Sequence, residues 1–176
     1  MHTYKIYDKN LSDGFKAEWF SPKTIEDFYG ENQKSIVFES EEKFCKIFKI
    51  FSDTNSFRVH EFEKYHEYYG IDYMKKAYPK EYPPELFSLY ENLEENREYA
   101  FSDAENIFKL MFRGHIWCIL KSSDAEMFFE KPGILTVSTD KILSDTAASA
   151  EQTGQLCEIG DLITEQAKPS ESGGEL

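Results

Sequence analysis

The sequence predicts an α+β fold. Apolar residues alternate near the N-terminus and again from Ile116 to Val137, they recur at three- and four-residue intervals between those segments, and aromatic residues stop beyond Leu143. The expected architecture is an N-terminal β-hairpin, a helical middle segment and a C-terminal antiparallel β-meander. Together these form one globular domain over residues 1–143, followed by a flexible acidic tail over 144–176.

Each element has a local reason. Tyr4 and Ile6 alternate with polar neighbours, the turn-like stretch from Asn10 to Gly14 follows, and Phe15, Ala17 and Trp19 alternate again, which reads as a hairpin. Ser21-Pro22 opens a short helix that stops at Gly30, with serine at the cap, proline at the first helical position and glycine past the end. Ser35 to Phe38 is a candidate strand. From Ser40 to Phe51, Phe44, Ile47, Phe48 and Phe51 recur at helical spacing between charged residues. After a polar turn, Phe57 to Tyr69 reads as a second helix with Val59, Phe62, His66 and Tyr69 along one stripe.

Beyond the Pro-punctuated stretch Pro79, Pro83 and Pro84, the residues Leu86, Leu89, Tyr90 and Leu93 form a third helical stripe. Ser102-Asp103-Ala104-Glu105 matches a capping box, and Ile107, Leu110 and Met111 give the apolar face of the helix that follows, up to Gly114. His115 to Leu120 reads as a buried strand, with Met127–Glu130 and Ile134–Val137 as partners across short turns. In the tail, seven acids face only Lys168. Within it, Leu156 to Ile163 has enough apolar residues for a short docking helix or strand.

Composition narrows the function. The chain is 40% hydrophobic and 16% aromatic, enough apolar surface for a phenylalanine-rich core. Its 33 acids and 20 bases leave a net charge of −13, which argues against direct binding to nucleic acid or an anionic membrane and favours a basic partner. Cys45, Cys118 and Cys157 are too few and too widely spaced for a disulfide framework or a Cys-x-x-Cys pair, so a reducing cytoplasm is expected. The opening residues have no apolar signal core, and the longest apolar run, Ile116 to Leu120, is far shorter than a membrane span.

Candidate chemistry is sparse. His60 to Glu67 packs two histidines and three glutamates together, but histidines six apart diverge by about 120° on a helix, whereas a zinc helix needs an i, i+4 pair. Glu63-x-x-His66 has the spacing of a di-iron ligand pair and lacks its second copy. No metal or cofactor is therefore expected. Cys118 with His60, His66 or His115 as base is the alternative enzymatic reading, although a thiol inside an apolar strand is usually inert packing. The chain has no Gly-rich phosphate loop, Walker-type motif or Gly-x-Ser-x-Gly elbow.

A binding role has more support. Eight of the 11 tyrosines lie between Tyr65 and Tyr99, where acids outnumber bases. On the expected Phe57–Tyr69 helix, Tyr68 projects about 180° from Val59, on the face of Glu61, Lys64 and Glu67. On the expected Leu86–Leu93 helix, Glu91, Glu95 and Glu98 lie opposite the leucines, with Glu94 and Phe87 at the boundary. Glu91/Glu95 and Glu94/Glu98 would be like-charge i, i+4 pairs, each unfavourable by about 0.2–0.5 kcal/mol, so helix stability does not explain them.

Tyr68 and Phe87 are thus candidate anchors, and Glu61, Glu67, Glu91, Glu94, Glu95 and Glu98 are candidate steering and rim residues for a basic protein. Only in general class does the chain resemble immunity-type and phage-type inhibitors, which are small acidic proteins that occlude the basic active site of a toxin, nuclease or other nucleic-acid enzyme. A DNA mimic that displaces nucleic acid from a defence enzyme is the other binding alternative.

Overall fold

The computed structural model describes residues 2–8, 11, 21–51, 56–65, 70–131, 133–140 and 162–166. Seven strands form one sheet: β1 (His2–Asp8), β2 (Ser56–Lys64), β3 (Glu98–Ala100), β4 (Ile116–Lys121), β5 (Ala125–Lys131), β6 (Ile134–Thr139) and β7 (Leu162–Gln166). Among the described residues, five α-helices accompany them: α1 (Pro22–Tyr29), α2 (Lys34–Phe51), α3 (Ile71–Ala77), α4 (Pro84–Glu91) and α5 (Phe101–Phe112), with a 3-10 turn at Glu31–Gln33 between the first two. The sheet order is β3-β2-β4-β5-β6-β1-β7, every pairing is antiparallel, and the fold is α+β.

The expected meander forms the middle of the sheet. Ile116, Cys118 and Leu120 are buried while Trp117 and Ile119 are half-buried, the period-two pattern of a strand with one face on the core. Met127 lies between Leu120 and Val137 in register, and Phe129 lies opposite Leu135. Gly133 closes the β5–β6 turn at a φ of 76°, a conformation that strains any residue with a Cβ.

Phenylalanine joins the layers. Phe48 of α2 packs on Phe57 of β2, Phe101 and Phe108 of α5 with ring centroids 5.0–5.4 Å apart. Phe44, Phe108 and Phe112 all meet Phe129 of β5 at 5.0–5.7 Å. Phe44, Phe48, Phe108 and Phe112 are fully buried, so truncating one to alanine removes both transfer energy and packing, at about 3–5 kcal/mol.

α1 forms as its caps dictate, with the Ser21 hydroxyl accepting from the Thr24 amide and Gly30 following the last turn at a φ of 91°. α2 begins earlier than the apolar spacing suggests, and the strand expected at Ser35–Phe38 is its first turn. Its buried stripe runs Val37, Glu41, Phe44, Phe48, Phe51, and the acid at the second position hides the helical period. α3 buries only Ile71 and Met74, too few apolar positions to announce it in the sequence.

Three further expectations are corrected. The helix expected from Phe57 to Tyr69 is strand β2 up to Lys64: Phe57 and Val59 alternate inward, and then a bulge between His60 and Glu63, with Glu61 at a φ of 48°, breaks the alternation. That irregularity made the spacing of Phe57, Val59 and Phe62 look helical. The capping box at Ser102–Glu105 does not form, because α5 starts directly from β3 with extended Ala100 as its cap and Phe101 stacked on Phe48. Leu93 is buried, but beyond the end of α4.

β1 has β6 and β7 as its neighbours; the second arm of the expected hairpin, at Phe15, Ala17 and Trp19, lies outside the described residues. Of the segment expected as a tail, Leu162–Gln166 runs antiparallel to β1, and residues 144–161 and 167–176 lie outside the described residues. Among the described residues, no helix is long and apolar enough to cross a membrane.

Candidate functional site

β3 is a three-residue strand at one edge of the sheet, and the segment from the end of α4 to its first residue carries Glu91, Glu94, Glu95 and Glu98, four of the six acids singled out in the sequence. α4 stops at Glu91, so Glu94, Glu95 and Glu98 lie off the helix and the expected like-charge helical pairs do not exist. The chain instead bends back along β2. The Asn96 amide donates to the Val59 carbonyl at 2.7 Å, and the Val59 amide donates to the Arg97 carbonyl at 3.2 Å.

This turn meets the β2 bulge. A bulged residue leaves the strand ladder, and the Glu61 amide finds its acceptor in the Glu95 carboxylate, with Oε1 at 3.2 Å. Glu98, opposite Arg58 in register, accepts from the Ser56 hydroxyl. Glu94 donates its amide to the buried Tyr99 hydroxyl at 2.8 Å, and its carboxylate stands 3.9 Å from Arg97, an exposed pair that contributes little. The Glu91 carbonyl accepts from Lys64 at 3.4 Å, and the same ammonium sits 4.6 Å from the Tyr90 ring centroid. Glu61, Glu91, Glu94, Glu95 and Glu98 are all exposed along this one edge.

Phe87 stands apart from them. It is half-buried on α4, packed against the core, and the Lys75 ammonium lies over its ring at 3.8 Å, so an incoming partner meets a covered ring. Tyr68 and Glu67 lie outside the described residues, as does His66. Glu61 and Lys64 sit on a strand rather than on a helix face shared with them.

The alternative chemistries have their own geometry. Cys118 is fully buried on the face of β4 toward the helices, and burial pushes its thiol far above the ordinary range. His60 pairs with Ile119, so it projects to the opposite face of the sheet from Cys118. The His115 ring faces the Tyr82 hydroxyl at 2.7 Å. Among the described residues, no group of three or more His, Cys, Asp or Glu side chains lies close enough to share a metal ion. An open groove of about 320 Å³ between α2 and α5 is lined by Glu42, Cys45, Lys46, Lys49, Glu105 and Lys109. Within it Glu105 stands 3.4 Å from Lys49 and 3.5 Å from Lys109.

A buried polar cluster escaped the sequence reading. Arg113, just past α5, pairs with Glu41 of α2, donates to the Glu81 carbonyl and lies 4.8 Å from the Tyr82 ring centroid. The acid on the core stripe of α2 was the available signal. Comparison of the chain with protein-family models, curated proteins and solved structures found no significant match.

Proposed function

We propose that this chain is an acidic binding protein, without catalysis of its own, that inhibits a basic protein by covering its active site. The observation that carries the reading is the gathering of five exposed carboxylates, Glu61, Glu91, Glu94, Glu95 and Glu98, along the β3 edge by the β2 bulge and the turn after α4. A negative edge on a chain of net charge −13 accelerates encounter with a positive surface and disfavours acidic competitors. Enzymes that act on nucleic acid, toxins and nucleases among them, carry such a surface at their substrate site. The deep burial of the Cys118 thiol and the separation of His60 from it support binding over thiol chemistry. Cytoplasmic placement belongs to the same reading.

The test is affinity capture from a lysate at low and moderate salt, followed by association kinetics and activity measurements on the captured protein. Glu91→Lys combined with Glu94→Lys is the informative variant, because neither carboxylate holds the bulge. Association at low salt should slow by about tenfold or more, the salt dependence should flatten, and inhibition should weaken in parallel. An unchanged rate and salt slope would remove the β3 edge from the interface, and an uninhibited partner would remove the inhibitor role.

A further inference from the structure

The two edges of the sheet are built differently. At the edge opposite β3, β7 lies along β1 through five residue pairs, from Tyr4 opposite Gln166 to Asp8 opposite Leu162. On its other side β1 pairs with β6, where buried Tyr4 and Ile6 face Val137 and Leu135, both buried and apolar. In the β7 register, the same Tyr4 and Ile6 stand opposite Gln166 and Thr164. Apolar cross-strand pairs on this face therefore join β1 to β6, whereas the β7 register sets polar Gln166 and Thr164 there and brings Ile163 opposite Tyr7.

The connection is long. β6 and β7 both run antiparallel to β1, so they are parallel to each other. Thr139 ends beside His2, whereas Leu162 begins beside Asp8. Passing from one point to the other spans roughly 20–25 Å, from six residues of strand rise and two strand spacings. The residues 140–161 that join them reach roughly 70 Å when extended, so the chain does not oblige a β7 strand to pair with its own β1.

We infer that the outer edge of β1 is a strand-acceptor site whose second occupant is the Leu162–Gln166 strand of another copy of this chain, taken up in the same register in exchange for the chain's own. An identical strand makes identical backbone bonds in either copy, and edge addition of this kind needs no new surface. Tethering gives the chain's own strand an effective concentration in the millimolar range, so exchange grows with protein concentration. The site is separate from the acidic β3 edge and does not depend on the function proposed for it.

Register cross-linking tests this on the full chain. In a Cys157→Ser background, Lys5→Cys is made in one protein and Glu165→Cys in another, two positions that face each other across β1 and β7. Cys45 and Cys118 are buried and do not compete. Under mild oxidation the doubly substituted chain should form an internal disulfide at micromolar concentration. The mixture of single variants should form a disulfide-linked heterodimer that rises about tenfold for each tenfold increase in concentration. Glu171→Cys, off the register, should cross-link to Lys5→Cys several-fold less. An internal disulfide with no heterodimer at millimolar protein would show that β7 pairs only within its own chain, and equal yield from Glu171→Cys would reduce the heterodimer to random collision. Either result overturns the proposal, as does failure of both cross-links.

Discussion

Arg113 grips Glu41 with two parallel hydrogen bonds, from Nε and Nη2 to the two carboxylate oxygens, both at 2.7 Å and both in the buried interior. The pair ties the end of α5 to the middle of α2, and the third guanidinium nitrogen donates to the Glu81 carbonyl in the segment before α4. Coulombic attraction and hydrogen bonding from Glu41 outweigh the desolvation that would lower the guanidinium's pKa, so Arg113 stays charged.

Breaking this pair from one side should be costly. Arg113→Ala or Glu41→Ala leaves a buried charge without its partner, and each should lower stability by about 3–5 kcal/mol in urea unfolding. Replacing both, as Arg113→Met with Glu41→Leu, should restore most of that loss, because two apolar side chains of similar size require no compensation. A double variant as unstable as either single one would show that the pair is not the reason for the loss.

The cysteines should be nearly inert in the folded protein. Burial, with Glu41 nearby, pushes the Cys45 thiol up to about 12, and burial pushes Cys118 further. Raising a thiol from its ordinary value of 9.0 to about 12 lowers the thiolate fraction near neutral pH by about a thousandfold, before access is considered. With Cys157→Ser, a chromogenic disulfide reagent at pH 8 should therefore react with both native thiols far more slowly than with a free thiol, and 6 M urea should expose both at once. Rapid reaction of either thiol in the native state would contradict the packing around it.

The legible parts of the sequence were those whose pattern nothing interrupts. Ile116, Cys118 and Leu120 alternate without a break, and α1 carries both of its caps, so the meander and the first helix read directly. β2 did not, because a bulge at Glu61 shifts its apolar residues by one and imitates a helical period. The first turn of α2 was hidden by Glu41, a charge that belongs in the core only because Arg113 arrives from a distant part of the chain. The same limit applies to the acidic edge. The sequence set Glu61 on one expected helix and Glu95 on another, but a bulge amide bound by the Glu95 carboxylate brings these two together, and no helical projection contains that contact.

His115 should make the protein acid-sensitive over a defined window. Its ring is fully buried against the Tyr82 hydroxyl and edge-on to Tyr90. Burial, aided by the nearby Arg113 charge, lowers its pKa from the ordinary 6.5 to about 3. The folded protein thus keeps this imidazole neutral while the unfolded chain binds a proton below about 6.5, so stability is fully present above that value and falls as pH drops toward 3. Between pH 7 and 5 this one group should remove about 2 kcal/mol. Carboxylates titrate too, so the informative quantity is a difference. His115→Gln keeps a polar partner for Tyr82 and cannot take up the proton, and its urea-unfolding stability should fall less over this range by about that amount. Parallel pH profiles for the two proteins would mean that His115 is protonated in the fold and that the cluster around Arg113 tolerates a second positive charge.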